Sequence, residues 1–199
     1  MGSTFKTSAG GGPSVPFRRV MMFVDGENLV FRYQEMLRQG RIPQADITHK
    51  SDVYVWSPKT VLLNGYFEVE RATFYTYTTG DNTAVDIVSS EIKGLRFDLH
   101  SDSMLPRTLS PRVFWKARSS NGKGVDIQMT IDILTHAYRD NYDILYLVSG
   151  DGDYKPVLEE VVRSGKQVYV AALSSGLNPA LCLSSDEFFD LDRVYFEEK

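Results

Sequence analysis

The sequence predicts an α/β fold built on a mainly parallel sheet with helices on both faces. Three observations predict it. Apolar runs of strand length, such as Val20–Val24 and Ile144–Val148, alternate with segments of helical period. Those two runs lack charged residues, as strands buried on both faces do. Acidic, glycine-containing turns follow both runs, where open α/β sheets place their sites.

Residues 1–18 are expected to be a disordered leader or an expression remnant, since 1–16 is dominated by Gly, Ser, Thr and Pro. A single domain is expected over 19–199. The strand Val20–Val24 ends in Asp25-Gly26-Glu27-Asn28, and Leu29–Gln39 reads as a helix closed by Gly40. Residues 41–69 form an elaboration with Pro43, a short strand at Val53–Trp56 and one short helix. Arg71–Thr78 is rich in β-branched and aromatic residues and reads as a strand. Asp81 caps a helix over Thr83–Lys93, with Gly94 as its stop. Leu95–Leu99 and Arg112–Ala117 are the next strands. Lys123–Arg139 is a helix whose apolar stripe is Ile127, Ile131, Leu134 and Tyr138. Ile144–Val148 is a strand, Asp153–Ser164 a helix before Gly165, and Gln167–Leu173 a strand. Pro179–Leu183 and Asp186–Phe189 read as short helical pieces, and a docked acidic tail follows.

Composition removes several classes. The chain has 199 residues, a net charge of -4 and 42% hydrophobic residues, which suits one soluble globular domain. A single cysteine, Cys182, excludes internal disulfides and Cys-rich zinc sites. No apolar run reaches the roughly 18 residues of a membrane span, and no secretory h-region is present, which points to the cytoplasm. A homodimer is left open.

The acids carry the chemistry. Asp25 follows the first buried strand, and Ser149-Gly150-Asp151-Gly152-Asp153 follows Ile144–Val148. Gly150 and Gly152 permit a tight turn that aims two carboxylates from one loop. Asp126 opens the helix that begins at Lys123 and can point into the same crevice. Singly, each acid reads more readily as a turn or cap residue than as a ligand, and the case rests on their combination. If the four converge, two carboxylates 4 Å apart repel by about 4 kcal/mol at an effective dielectric of 20. They then require protonation or a cation. An all-oxygen cluster suits Mg²⁺ or Mn²⁺, and such an ion suits phosphate chemistry.

Three blocks resemble the signature of NYN domains: Phe23-Val24-Asp25-Gly26-Glu27-Asn28-Leu29, Lys123-Gly124-Val125-Asp126, and Leu147-Val148-Ser149-Gly150-Asp151-Gly152-Asp153-Tyr154. These are PIN-like nucleases, similar to the LabA group. The resemblance covers roughly residues 19–195. It implies a three-layer PIN-like (Rossmann-like) fold and a metal-dependent ribonuclease site. Asp25, Asp126, Asp151 and Asp153 would be the catalytic, metal-binding set, with Asn28 supporting the first loop and Ser149 the third. Asp132 matches an acid that recurs in the family's helix. It lies about 120° around the helix from Asp126, which makes it a supporting residue.

Charge is uneven. Ser103–Val125 has no acid and contains Arg107, Arg112, Lys116, Arg118 and Lys123, with Phe114 and Trp115. This stretch leads into Asp126 and would suit single-stranded RNA, with Lys116, Arg118 and Lys123 as candidate substrate contacts. An edge strand guarded by basic residues is the competing reading. The expected function is RNA phosphodiester hydrolysis by a metal-activated water. The alternatives are a catalytically weak RNA-binding recruiter and a metal-dependent phosphatase or nucleotide hydrolase.

Overall fold

The computed structural model describes residues 17–63, 67–98, 107–115 and 123–198. The leader 1–16 lies outside them, as do Lys116 and Arg118; of Lys123 the backbone alone is described. β1 (Arg18–Asp25) runs directly into α1 (Gly26–Arg38). An antiparallel hairpin, β2 (Thr48–Lys50) and β3 (Tyr54–Trp56), follows, then a 3-10 turn at Pro58–Thr60. Next come β4 (Phe67–Thr78), α2 (Asn82–Gly94), the short antiparallel pair β5 (Arg96–Phe97) and β6 (Arg107–Thr108), and β7 (Ser110–Trp115). α3 (Lys123–Tyr138), β8 (Ile144–Val148), α4 (Lys155–Arg163) and β9 (Gln167–Ala172) continue the alternation. α5 (Pro179–Leu183), β10 (Glu187–Asp190) and α6 (Asp192–Tyr195) end it.

The central sheet has six strands in the order β10-β9-β8-β1-β4-β7, and every neighbouring pair is parallel. Side chains alternate across it. Val20, Met22 and Val24 enter one core with α1 and α2, whereas Met21 and Phe23 enter the other with α3, α4 and α5. The fold is therefore three-layered α/β, as the alternating pattern predicted. By the same alternation Asp25 falls on the α3 face. Among the described residues, no helix is long and apolar enough to cross a membrane.

Four expectations are corrected. On α3 the sheet-facing stripe is Val125, Met129, Ile133 and Ala137, while Ile127, Ile131 and Tyr138 are 58%, 50% and 62% exposed. The helix carries apolar residues on two sides, so period alone could not tell which side meets the sheet. Glu187–Asp190 is an edge strand beside β9, not a helical piece, because Phe188 and Phe189 reach opposite cores. Arg96–Phe97 pairs with β6 outside the main sheet; β7 takes the place beside β4 instead. Gly94 is the last residue of α2, which Leu95 closes with an N–H to the Ile92 carbonyl.

The 41–69 elaboration fastens the tail. Gln44 N–H donates to the Tyr195 carbonyl at 3.0 Å, and Glu197 N–H to the Ile42 carbonyl at 2.9 Å. The Tyr195 and Thr60 hydroxyls lie 2.8 Å apart, fully enclosed.

Candidate active site

The chain leaves β1 toward β4 and β7, then α3 carries it back to β8 on the other side of β1. Strand order thus reverses between β1 and β8, and the crevice at their carboxyl ends is the natural ligand site of an open parallel sheet. Asp25 ends β1, and Ser149 immediately follows β8. α3 begins at the same end, which brings Asp126 on its first turn to the crevice.

The resulting pocket, about 330 Å³, is lined by Asp25, Asp126 and Asp151 among others. Asp25 is 3% exposed. Its Oδ1 accepts from the Asn28 N–H at 3.0 Å, so it also caps α1. Its Oδ2 accepts from the Ser149 hydroxyl at 2.9 Å. Burial pushes the Asp25 carboxyl up to about 7, helped by the like charges of Asp126 and Asp151 and opposed by those two hydrogen bonds. Tyr154 donates from its hydroxyl to Asp126 at 3.3 Å, and burial followed by the nearby acids raises its own ionisation far above the usual tyrosine range.

Neutral bonds lock the loops together. Gly150 N–H donates to the Asn28 side-chain oxygen at 3.1 Å, and Asp151 N–H to the Ser149 hydroxyl at 3.1 Å. Gly26 is required by close approach: a Cβ there would stand 2.2 Å from the Phe74 ring and 2.7 Å from the Tyr75 carbonyl. At Gly152 a Cβ would meet the Asn178 amide nitrogen at 1.9 Å, so the Asn178 side chain, which caps α5, would have to shift. Neither Gly150 nor Gly152 adopts a positive φ, so space rather than left-handed backbone explains Gly152.

The structure thus gathers Asp25, Asp126, Asp151, Asn28 and Ser149. Asp153 is exposed, is not among the pocket's lining residues, and gives its N–H to Asp151 at 3.0 Å. Asp132 belongs to a neighbouring pocket, where it accepts from the Tyr75 hydroxyl at 2.8 Å and the Gln128 amide at 2.9 Å. Among the described residues, no three His, Cys, Asp or Glu side chains stand close enough to form a ready-made metal site. The donor chemistry nevertheless fits a hard divalent ion: the acids that line the pocket offer oxygen only, and Asp126 and Asp151 destabilise the charge of the buried Asp25. Asp126 and Asp151 would have to turn inward to complete it.

Sequence reasoning missed Glu27, Phe31, Gln34 and Tyr77, which also line the pocket. Glu27, Phe31 and Gln34 recur at helical spacing on the side of α1 opposite the buried Leu29, Tyr33 and Met36, a legible signal. Tyr154 carried no such signal, because its partner Asp126 is 28 residues away.

A family model described as the NYN domain matches residues 19–192. A crystal structure of a protein of unknown function from Vibrio parahaemolyticus is similar at a TM-score of 0.62 and 20% identity, covering 93% of this chain and 99% of that one. At that identity the likeness concerns the fold. No curated protein matches the chain.

Proposed function

Because the chain belongs to the NYN domain family, whose fold is nuclease-like, we propose that it is a metal-dependent ribonuclease with its reaction centre at Asp25. The observation that carries the reading is the buried Asp25 carboxylate facing Asp126 and Asp151 in one pocket at the strand-order switch. Mg²⁺ or Mn²⁺ would be held by Asp25, Asp126 and Asp151, with Asp153 offered by the same loop. When bound, the ion would activate water and neutralise charge on a phosphodiester.

The chain's own residues orient that site. Ser149 and the Asn28 N–H fix both oxygens of Asp25. Asn28 ties the first loop to the third, and Tyr154 orients Asp126. Phe31 and Tyr77 line the pocket and offer aromatic faces to unpaired bases, which favours single-stranded RNA. Lys116 and Arg118, between β7 and α3, and Lys123, the first residue of α3, are its further proposed contacts.

A second reading, an RNA-binding recruiter with weak catalysis, draws on the lack of a ready-made metal cluster among the described residues. One assay separates the two. Labelled single-stranded RNA is incubated with Mg²⁺ or Mn²⁺ and either wild type or Asp151→Asn. Cleavage by wild type alone, abolished by EDTA, is expected. Cleavage indifferent to both EDTA and the substitution refutes the mechanism. Tight binding without cleavage establishes the recruiter. Faster turnover of a nucleotide monoester than of RNA establishes a phosphatase.

A further inference from the structure

α3 packs on β1 and β4, and β7, the edge strand beside them, is only partly buried. There, a second cavity of about 210 Å³ is lined by Arg71, Thr73, Arg112, Asp132 and His136 among others. Alternation along β4 turns Arg71, Thr73 and Tyr75 to this face, and the register that pairs Tyr75 with Arg112 brings the second arginine beside them. Asp132 and His136, one turn apart on α3, close the opposite wall.

The cavity carries two arginines against one aspartate. Neither Arg71 nor Arg112 forms an ion pair or hydrogen bond with a described residue. Asp132, the acid at hand, is occupied by Tyr75 and Gln128. Burial holds the imidazole of His136 below its usual range; Asp132 opposes it, and the charges of Arg71, Arg139 and Arg112 each add a smaller lowering. By contrast Arg107, from the same basic stretch, is committed to the Val69 carbonyl.

The cavity also lies on the α3 face of the sheet, the face that carries Asp25. Asp25 pairs in register with Tyr75, and Arg71 lies four residues further back along β4, about 13 Å at strand rise. We propose that Arg71 and Arg112 form a phosphate subsite for the single-stranded nucleic acid, a few nucleotides away from the bond at Asp25. This rests on the ribonuclease reading and gives its substrate a direction: along α3 from the Asp126 end toward His136. Two guanidiniums on a concave wall, without hydrogen-bond partners among the described residues, suit phosphate oxygens.

The test measures binding in EDTA, so that cleavage does not enter. Fluorescence anisotropy of a labelled oligouridine of about 20 nucleotides, a length comparable to single-strand binding sites, compares wild type with Arg71→Gln/Arg112→Gln across salt concentrations. Losing two phosphate contacts on a single strand should flatten the slope of log K against log salt by about 1.4. Arg71→Lys/Arg112→Lys should keep the slope, and circular dichroism should show all three proteins folded. Identical slopes for the long strand with the folded glutamine variant overturn the subsite. Inorganic phosphate binding that the glutamine variant loses while oligouridine binding stays unchanged also overturns it, in favour of a free-anion site. Failure of wild type to cleave RNA in Mn²⁺ would instead count against the ribonuclease reading and leaves these binding results standing.

Discussion

Replacing Asp25 by Asn should stabilise the metal-free protein at neutral pH while destroying its response to divalent ions. Asp25 is enclosed, and its carboxyl is raised from 3.8 to about 7. A rise of about three pKa units corresponds to about 4 kcal/mol between the neutral and charged forms. The sign follows from linkage. With the folded value above the unfolded one, Asp25 contributes stability that is fully present below about 4 and is lost as pH rises through about 7. Asparagine resembles the permanently neutral acid and keeps that contribution. It cannot accept from Ser149 through its NH₂ group, which costs about 1 kcal/mol. The variant should therefore be about 1 kcal/mol less stable than wild type near pH 4 and about 3 kcal/mol more stable at pH 8. Urea denaturation in EDTA at several pH values measures the difference. It should grow by up to about 1.4 kcal/mol per pH unit and level off above pH 7. Adding Mn²⁺ should raise the midpoint of wild type and leave that of the variant unmoved. A difference that stays flat from pH 4 to 8 refutes the buried, acid-facing environment on which the reading depends.

Three further outcomes follow from the site and the packing. Ser149→Ala removes a donor from Asp25 and an acceptor from the Asp151 N–H, and should cost about 1–3 kcal/mol in chemical denaturation at pH 8. Gly152→Ala should cost about 1–3 kcal/mol through overlap with Asn178, and calorimetry on Gly152→Ala/Asn178→Ala should recover part of that loss. Ile133→Ala should destabilise by about 2–5 kcal/mol, whereas the exposed Ile131→Ala should stay within about 0.5 kcal/mol; equal losses in urea melts would contradict the observed face of α3.

Much of the fold is legible in the sequence because local period carries it. Val20–Val24, Ile144–Val148 and Gln167–Leu173 read as buried strands and are strands at the centre of the sheet. The acidic turns after β1 and β8 were visible for the same reason: a buried run that stops at Asp-Gly or Ser-Gly-Asp marks a strand end. Period fails where two phases are equally apolar, as on α3. It fails also where an element is too short to show any, as at Glu187–Asp190.

By itself, then, the sequence determined the strand and helix alternation and the acids at the strand ends. The tertiary structure alone decided that β8 sits beside β1, which brings Ser149 to Asp25 across 124 residues of chain. It decided that Asp151 lines the pocket while Asp153 faces outward, and that Arg71 and Arg112 share a cavity. The reason is physical. A side chain's direction within one element follows from the local backbone period. Its neighbours across elements follow from strand order and register, which are set by burying the whole sheet at once.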